Sequence, residues 1–449
     1  MRPLVGLLAA SLLAAFAHPA SAQDGKTWVA AWTASAQGPY PVGNPSAQPD
    51  QKFTFPDPAV GARDQTFRLM LRPDLWGRQA RIRFSNAFGT RPVTFDGVHV
   101  GLQWGSSALV RGSNRPVTLG GKSSVTVPPG NSIWSDPVTL PFARQPDELA
   151  GRRLAVSFHI AGDSGPMTWH AKALTTSYVT APGAGAKGAL EDESAFLYST
   201  ASWFFVDAVE MLAPADAFAV MAFGDSITDG TASTMNGDDR WPDVLSRRLK
   251  ALYGNEVAVV NAGIGGNQIA GPAEYAPDKP SAGGPASGQR LDRDVLALSG
   301  ITTLIWLEGI NDFSKNGNAT VDKVIAEMKD GVTRLRKKWP HIRVIGATVI
   351  SALGSSSAAH GFPEQDAKRK ELNDFIRTSG TFDAVIDFDK VVLDPRSGGL
   401  KPEFVPESTT GGPGDKLHPN RAGYLAMGQA IDLNLFKPER SRRSAKSRE

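Results

Sequence analysis

The hydrophobic pattern of this 449-residue chain changes once, near residue 213, and this change restricts the fold more than any other feature. Before it, apolar and polar residues alternate in short runs such as 67–72, 80–84 and 154–160. Period-two runs are typical of β-strands that bury one face, and turns rich in Gly and Pro separate them. We therefore predict an antiparallel β-sandwich domain, jelly-roll-like, over residues 23–213.

Beyond a hinge at 213–215, short apolar strands alternate with segments of helical period. Such alternation predicts βαβ units around a parallel sheet, so we expect an α/β domain over residues 217–436. Functional groups of these sheets gather at the carboxyl ends of the strands. The predicted strands are 218–223, 257–260, 303–307, 344–350 and 384–388, and the predicted helices are 242–254, 291–298, 321–339, 365–377 and 422–433.

The two ends of the chain differ from the body between them. An apolar stretch over 4–17 follows one basic residue and ends at small residues, which is typical of a signal peptide over residues 1–22 with cleavage after Ala22. The stretch is too short to cross a bilayer, and no later segment is long and apolar enough. We therefore expect a secreted or periplasmic protein without a membrane span. Residues 437–449 hold six basic and two acidic residues and predict a basic disordered tail.

Composition excludes several classes of protein. Lys and Arg number 48 against 45 Asp and Glu, for a net charge of +3, and the basic excess lies in the two terminal segments. The body is therefore close to neutral, and we predict no nucleic-acid partner. The chain has no cysteine, which excludes a disulfide framework, a thiolate metal site and a cysteine nucleophile. The histidines show no paired ligand spacing, so we predict no metal site.

A serine follows the first strand of the α/β half directly, in Gly224-Asp225-Ser226. A serine at the carboxyl end of a buried strand is placed to act as a nucleophile. It is equally placed to cap the helix or turn that follows. The Gly-x-Ser-x-Gly turn of the ordinary α/β-hydrolases is absent from the chain, so that arrangement is not expected.

An aspartate and a histidine stand three residues apart before the last predicted helix, as Asp415 and His418. At this spacing the carboxylate can hold the imidazole Nδ1–H while Nε2 faces a nucleophile, as general-base catalysis requires. The alternative interpretation is a loop aspartate beside a surface histidine.

Two residues after other strands are candidate donors for an oxyanion. Gly266 allows a backbone N–H to approach a substrate closely, and Asn311 offers a side-chain amide. Each is also a residue type that commonly forms or caps a turn, so both interpretations stay open.

Four blocks of the chain resemble, in order, those of the SGNH, or GDSL, hydrolases: Gly224-Asp225-Ser226, Gly266 within Asn261-x-Gly-x-x-Gly, Gly309-x-Asn311-Asp312 and Asp415-x-x-His418. The resemblance covers about residues 218–436 and implies an SGNH-type three-layer α/β/α hydrolase domain. It implies Ser226 as nucleophile, with Asp415 and His418 completing a catalytic triad. It also implies an oxyanion hole made by the Ser226 N–H, the Gly266 N–H and Asn311, and no cofactor. Ile227 stands where leucine gives the family its name.

The whole chain also resembles secreted arylesterases and carbohydrate acetylesterases that carry an N-terminal β domain, in phrases such as Trp28-Val-Ala-Ala-Trp32 and in residues 288–295. This resemblance implies a secreted serine esterase acting on carbohydrate O-acetyl or small aryl or alkyl esters, with a small-molecule or polysaccharide ester as substrate. The alternatives are an acyltransferase that uses the same serine, a lipase or lysophospholipase, and a noncatalytic binding protein.

Two features near the predicted site leave its specificity open. The long Pro-rich and Gly-rich loop over 266–291 is either a wall of the substrate pocket or a solvated insertion. The β half also holds seven of the ten tryptophans, which either fill its core or present faces for polysaccharide contact. These tryptophans are Trp28, Trp32, Trp76, Trp104, Trp134, Trp169 and Trp203.

Overall fold

The computed structural model describes residues 25–436. The predicted signal peptide (1–22) and the predicted basic tail (437–449) lie outside the described residues. Among those described, no helix combines the length and apolar character that a bilayer crossing requires.

The N-terminal half is built of antiparallel strands, as its alternating pattern predicts. One sheet has the order β1-β16-β4-β10 with β9 paired to β4, a second has the order β14-β13-β3-β11-β5-β6 with β7 and β8 paired to β5, and a third has the order β15-β12-β2. Their bounds are β1 (Lys26–Thr33), β2 (Gly38–Pro39), β3 (Arg63–Leu71), β4 (Gln79–Ser85), β5 (Val93–Gly105), β6 (Ala108–Leu109), β7 (Arg115–Pro116), β8 (Ser124–Val127), β9 (Ser132–Trp134), β10 (Val138–Thr139), β11 (Leu154–Asp163), β12 (Thr168–His170), β13 (Ser177–Val179), β14 (Tyr198–Thr200), β15 (Trp203–Phe204) and β16 (Val206–Pro214).

Aromatic side chains join the first two sheets face to face. Phe84 of β4 lies 5.2 Å from Phe95 of β5 and 5.4 Å from Phe158 of β11, measured between ring centroids. Rings at these distances, in tilted or edge-on arrangements, add to the burial energy of a core. Of the tryptophans in this half, Trp32, Trp76, Trp169 and Trp203 are buried, whereas Trp104 is 77% exposed.

The prediction that strand 67–72 buries one face only is wrong. Both faces of β3 are buried, and Arg68 on the second face is inaccessible to solvent. Its guanidinium donates to Ser107 O at 2.7 Å and to Asp192 O at 3.2 Å. Two loops therefore cover this face, and an arginine fits beneath them because their carbonyl groups satisfy its N–H groups.

The C-terminal half contains one fully parallel sheet of order β18-β17-β19-β20-β21. The chain passes from β17 to β18 on one side and then to β19 on the other, which leaves a crevice at the carboxyl end of β17. The strands are β17 (Phe218–Gly224), β18 (Val257–Gly263), β19 (Ile301–Leu307), β20 (Arg343–Ala347) and β21 (Ala384–Ile386). The helices are α1 (Ser226–Asp229), α2 (Trp241–Tyr253), α3 (Ser287–Leu291), α4 (Val321–Lys338), α5 (Pro363–Thr378), α6 (Phe388–Val392) and α7 (Arg421–Ala430).

All five strands predicted for this half are present, and most differences are at element ends. The helix predicted over 291–298 begins earlier, as α3, and continues as a π-helical turn over Asp292–Leu296. Helices α1 and α6 were not predicted from the sequence, because with four and five residues they are too short to show a helical period.

The two halves share one hydrophobic core. Thr33 Oγ1 donates to Asn261 O at 2.7 Å, which ties the end of β1 to β18. On the same strand, Val259 N donates to Asp74 Oδ2 at 2.6 Å. The hinge predicted at 213–215 is therefore a short connection between packed strands, because β17 begins four residues after β16 ends.

Candidate active site

Ser226 lies at the carboxyl end of β17, where the strand turns sharply into α1. Gly224 permits this turn, because a Cβ there would lie 2.1 Å from Leu307 O. Asp225, not Ser226, caps the helix: its Oδ1 accepts a hydrogen bond from Ile227 N at 2.9 Å. The Ser226 hydroxyl is therefore free of the capping role that the sequence left open, and the residue is 5% exposed.

Ser226, His418 and Asp415 are hydrogen-bonded in series. His418 Nε2 lies 2.8 Å from Ser226 Oγ, and His418 Nδ1 lies 2.6 Å from Asp415 Oδ2. Asp415 Oδ1 also accepts from the backbone N–H groups of Leu417 and His418. Burial alone would raise the pKa of Asp415, but its hydrogen bonds and the charge of His418 hold that pKa well below the ordinary value. The Asp415 carboxylate is therefore ionised where it contacts His418 Nδ1.

The two predicted oxyanion donors reach the same cavity. Gly266 has φ +86°, a conformation that favours glycine, so its residue type is required by the backbone. Asn311 Nδ2 donates to Asn267 O at 3.0 Å, which fixes the orientation of the amide. Because an amide nitrogen carries two hydrogens, this bond leaves one of them for another acceptor.

These residues line a cavity of about 360 Å³ whose walls are mostly polar. The N-terminal half contributes Asn44 and Lys172 to the walls, and the loop over 266–291 contributes its first residues and residues 281–283. Other lining residues include Gln268, Ser281, Ala282, Gly283, Ser314, Ser357, Ala359, His360 and Leu417. The loop is held on the N-terminal half by Tyr275, whose hydroxyl donates to Gln37 O at 2.6 Å.

A buried arginine ties together the strand ends beneath the serine. Arg290 is inaccessible to solvent and donates to Gly224 O at 2.9 Å and to Ala262 O at 2.8 Å. Its guanidinium also lies 4.0 Å from the ring centroid of Phe223. Arg290 thus fixes the relative positions of β17 and β18, at the edge where the serine and Gly266 emerge.

Buried carboxyl groups surround this arginine. Burial, and after it the nearby Glu308, raises the pKa of Asp225 well above its ordinary value. Burial also raises the pKa of Asp312 to about 7, although the N–H groups of Ile269 and Ala270 donate to it. Through these bonds Asp312 holds the chain that follows Gly266.

Three residues that line the cavity, His360, Asn44 and Lys172, were not predicted as site residues from the sequence. Gln365 donates one amide hydrogen to Ile310 O and lies 2.7 Å from His360 Nδ1, which fixes Nδ1 as an acceptor. Burial and the charge of His418 lower the pKa of His360 to about 4, so its ring is neutral at pH 7. All three residues lie in loops without a motif, so no local sequence signal identifies them.

A parallel α/β sheet with serine, histidine and aspartate hydrogen-bonded in series at its carboxyl edge is an arrangement typical of serine hydrolases. Residues 222–426 match the sequence profile of the GDSL-like lipase/acylhydrolase family. Residues 222–426 thus form a GDSL-like acylhydrolase domain, as the motifs predicted, and the protein is a carboxylic ester hydrolase. No curated protein matches the chain in sequence.

Solved structures similar to the chain cover about half of it. A carbohydrate acetylesterase, Est24 of Sinorhizobium meliloti, is 15% identical, with 48% of this chain and 96% of that chain covered at a TM-score of 0.36. The M. smegmatis aryl esterase is 18% identical, with 48% and 96% covered at 0.36. A lipase/acylhydrolase from Enterococcus faecalis is 22% identical, with 48% and 93% covered at 0.35.

Proposed function

We propose that Ser226, His418 and Asp415 form a catalytic triad that hydrolyses esters through an acyl-serine intermediate. The observation that carries the proposal is the chain of two hydrogen bonds, 2.8 Å and 2.6 Å long, that joins them. His418 Nε2 takes the proton of the Ser226 hydroxyl as its oxygen attacks the ester carbonyl, and then gives the proton to the departing alcohol. A water molecule activated by the same nitrogen releases the acid and restores the serine.

Asp415 holds the Nδ1–H of His418 and stabilises the imidazolium that forms in each step. Because hydrogen bonds and the His418 charge keep its pKa low, the carboxylate stays ionised throughout. The Ser226 N–H, the Gly266 N–H and the Asn311 amide are the proposed donors to the oxyanion of the tetrahedral intermediate. Donors fixed in advance are effective because they need no reorganisation during the reaction.

For the substrate we propose an ester with a short acyl group, either a carbohydrate O-acetyl ester or a small aryl or alkyl ester. The polar cavity walls support this over a lipase or lysophospholipase activity, because a long acyl chain needs an apolar channel. Gln268 and Ser281 offer hydrogen-bonding groups to a polar alcohol portion.

We also propose that the chain is exported through residues 1–22 and is organised as a jelly-roll-like domain over 23–213 and a three-layer hydrolase domain over 217–436. For the polysaccharide contact proposed for the N-terminal half, the candidate residue is Trp104, whose side chain is largely exposed. Retention on acetylated xylan that survives Trp104→Ala would remove this candidate.

The test is a panel of esters given to the wild type and to Ser226→Ala. We expect hydrolysis of p-nitrophenyl acetate and of acetylated xylan by the wild type, with rates that fall as the acyl chain lengthens towards palmitate. Ser226→Ala should lower kcat by roughly 10⁴-fold or more, because the covalent route is lost. Full activity in Ser226→Ala would refute the nucleophile, and equal rates on palmitate would refute the short acyl preference.

A further inference from the structure

The Gly265–Gly266 peptide is held from outside the hydrolase half. Asn44 Nδ2, from the loop between β2 and β3, donates to Gly265 O at 2.7 Å. A Cβ on Gly266 would lie 2.7 Å from the same Nδ2, so the amide of Asn44 covers this peptide closely. Asn44 also lies 3.4 Å, through Nδ2, from Ala282 O in the loop that walls the cavity.

The carbonyl of Gly265 and the N–H of Gly266 belong to one peptide unit. In a trans peptide these two groups lie in one plane and point in opposite directions. A hydrogen bond that fixes the direction of the Gly265 carbonyl therefore fixes the direction of the Gly266 N–H as well. The same bond draws electron density towards the carbonyl oxygen and strengthens the N–H as a donor.

The other side of Gly265 is also held by way of the N-terminal half. Gly265 N donates to Asp229 Oδ2 at 2.9 Å, and Asp229 Oδ1 lies 3.2 Å from His170 Nε2 of β12. Burial alone would raise the pKa of Asp229, but His170 and Lys172 outweigh it and keep that pKa below its ordinary value. Gly265 is thus held at its N–H by an anion and at its carbonyl by an amide.

The loop that carries Asn44 is itself fixed by the β half. Trp169 Nε1 donates to Val42 O at 3.1 Å, and Gln48 Nε2 donates to Thr200 Oγ1 at 2.9 Å. These bonds lie on either side of Asn44 along the chain. The position of its amide over Gly265 is therefore set by the fold of the N-terminal half.

We propose that Asn44 is a positioning residue of the oxyanion hole, which aims the Gly266 N–H through its hydrogen bond to the Gly265 carbonyl. The inference rests on the proposed esterase activity and adds to it that the N-terminal half completes the active site. Asn44 touches no reacting atom in this role, so its loss should affect the reaction step and not substrate binding.

The test is Asn44→Leu, which keeps the side-chain size and removes the donor. Asn44 lies in an exposed loop, so the variant should fold. We expect kcat for p-nitrophenyl acetate to fall about 2- to 10-fold with KM unchanged, the range set by one hydrogen bond. Asn44→Asp should lower kcat further, because a carboxylate would repel the Gly265 carbonyl and the oxyanion. The matched control is Asn131→Leu, an exposed asparagine in a turn of the same half, which should keep the wild-type kcat.

A second readout does not depend on activity. Labelling glycine with ¹³C at the carbonyl and ¹⁵N at the amide restricts a correlation spectrum to the Gly-Gly pairs of the sequence, of which Gly265-Gly266 is one. Asn44→Leu should shift the Gly266 amide resonance, whereas Asn131→Leu should leave it in place.

The outcomes separate this inference from the proposed function. If Ser226→Ala abolishes hydrolysis but Asn44→Leu keeps the wild-type kcat, or raises KM alone, the positioning role is refuted and the esterase stands. If the wild type shows no hydrolysis that depends on Ser226, the proposed function fails. In that case an unmoved Gly266 resonance in Asn44→Leu also refutes the hydrogen-bonded clamp.

Discussion

The two sides of the cavity are built in different ways. On the proton-transfer side, Ser226, His418 and Asp415 all come from the C-terminal half, and Asp415 is bonded to His418 within one turn of chain. On the oxyanion side, the Gly265–Gly266 peptide is contacted by Asn44 of the N-terminal half. A local motif can therefore specify the proton relay, whereas the direction of the oxyanion donors depends on contacts that are distant in sequence.

A single substitution on the proton-transfer side should remove nearly all of the activity. Asp415→Asn is expected to lower kcat about 10⁴-fold, because an amide in place of the carboxylate no longer holds the Nδ1–H of His418. Steady-state hydrolysis of p-nitrophenyl acetate measures the change. Asp432→Asn, in an exposed position near the end of the same half, serves as the control. A loss of less than tenfold in Asp415→Asn would show that another group orients His418.

A substitution on the oxyanion side should lower kcat by a smaller factor. Asn311→Ala removes one proposed donor and is expected to lower kcat by about 10² to 10³-fold, with KM little changed. Its backbone and the neighbouring Asp312 remain, so the fold should persist. Asn434→Ala, an exposed asparagine of the same half, is the matched control. A rise in KM without a fall in kcat would make Asn311 a substrate contact instead of a donor to the oxyanion.

The smallest expected effect is on the free energy of unfolding and involves His360, which lines the same cavity. His360 stays neutral in the folded cavity down to about pH 4, whereas an unfolded histidine takes up a proton near pH 6.5. Between these values the unfolded state binds more protons, so the free energy of unfolding falls as pH falls. His360→Gln should flatten this fall in urea unfolding from pH 7 to pH 4. The exposed His341→Gln should leave the slope unchanged, and parallel curves for wild type and His360→Gln would contradict the assignment.

Parts of the fold with strong periodicity were predictable. The buried strand β17 and the long amphipathic helix α4 appear where the sequence places them, because burial of one face or of a whole strand leaves a regular pattern. The second buried face of β3 was not predictable. From the sequence pattern, Arg68 is expected to be exposed to solvent. It is buried because two loops remote in sequence cover it and accept its hydrogen bonds with their carbonyl groups.

The residues of the candidate site also fall into those that the sequence could predict and those that it could not. Ser226, Gly266, Asn311, Asp415 and His418 could be chosen from sequence because each follows a strand or precedes a helix within a recognisable block. Asn44 could not, because it lies in an irregular loop between two prolines and its partner is 221 residues away. No pattern of period two or 3.6 records a contact of that kind.

Residue types and local spacing were therefore enough to predict the change of architecture near residue 213, the absence of cysteine chemistry and the family of the C-terminal half. Each of these is recorded in residue type or in local spacing. Three other features are visible only in the folded protein: Asp225 caps α1, Arg290 joins two strand ends beneath Ser226, and Asn44 covers the Gly265–Gly266 peptide. The physical reason is that a hydrogen bond depends on distance and direction in space, and these are fixed only when both halves have packed around one core.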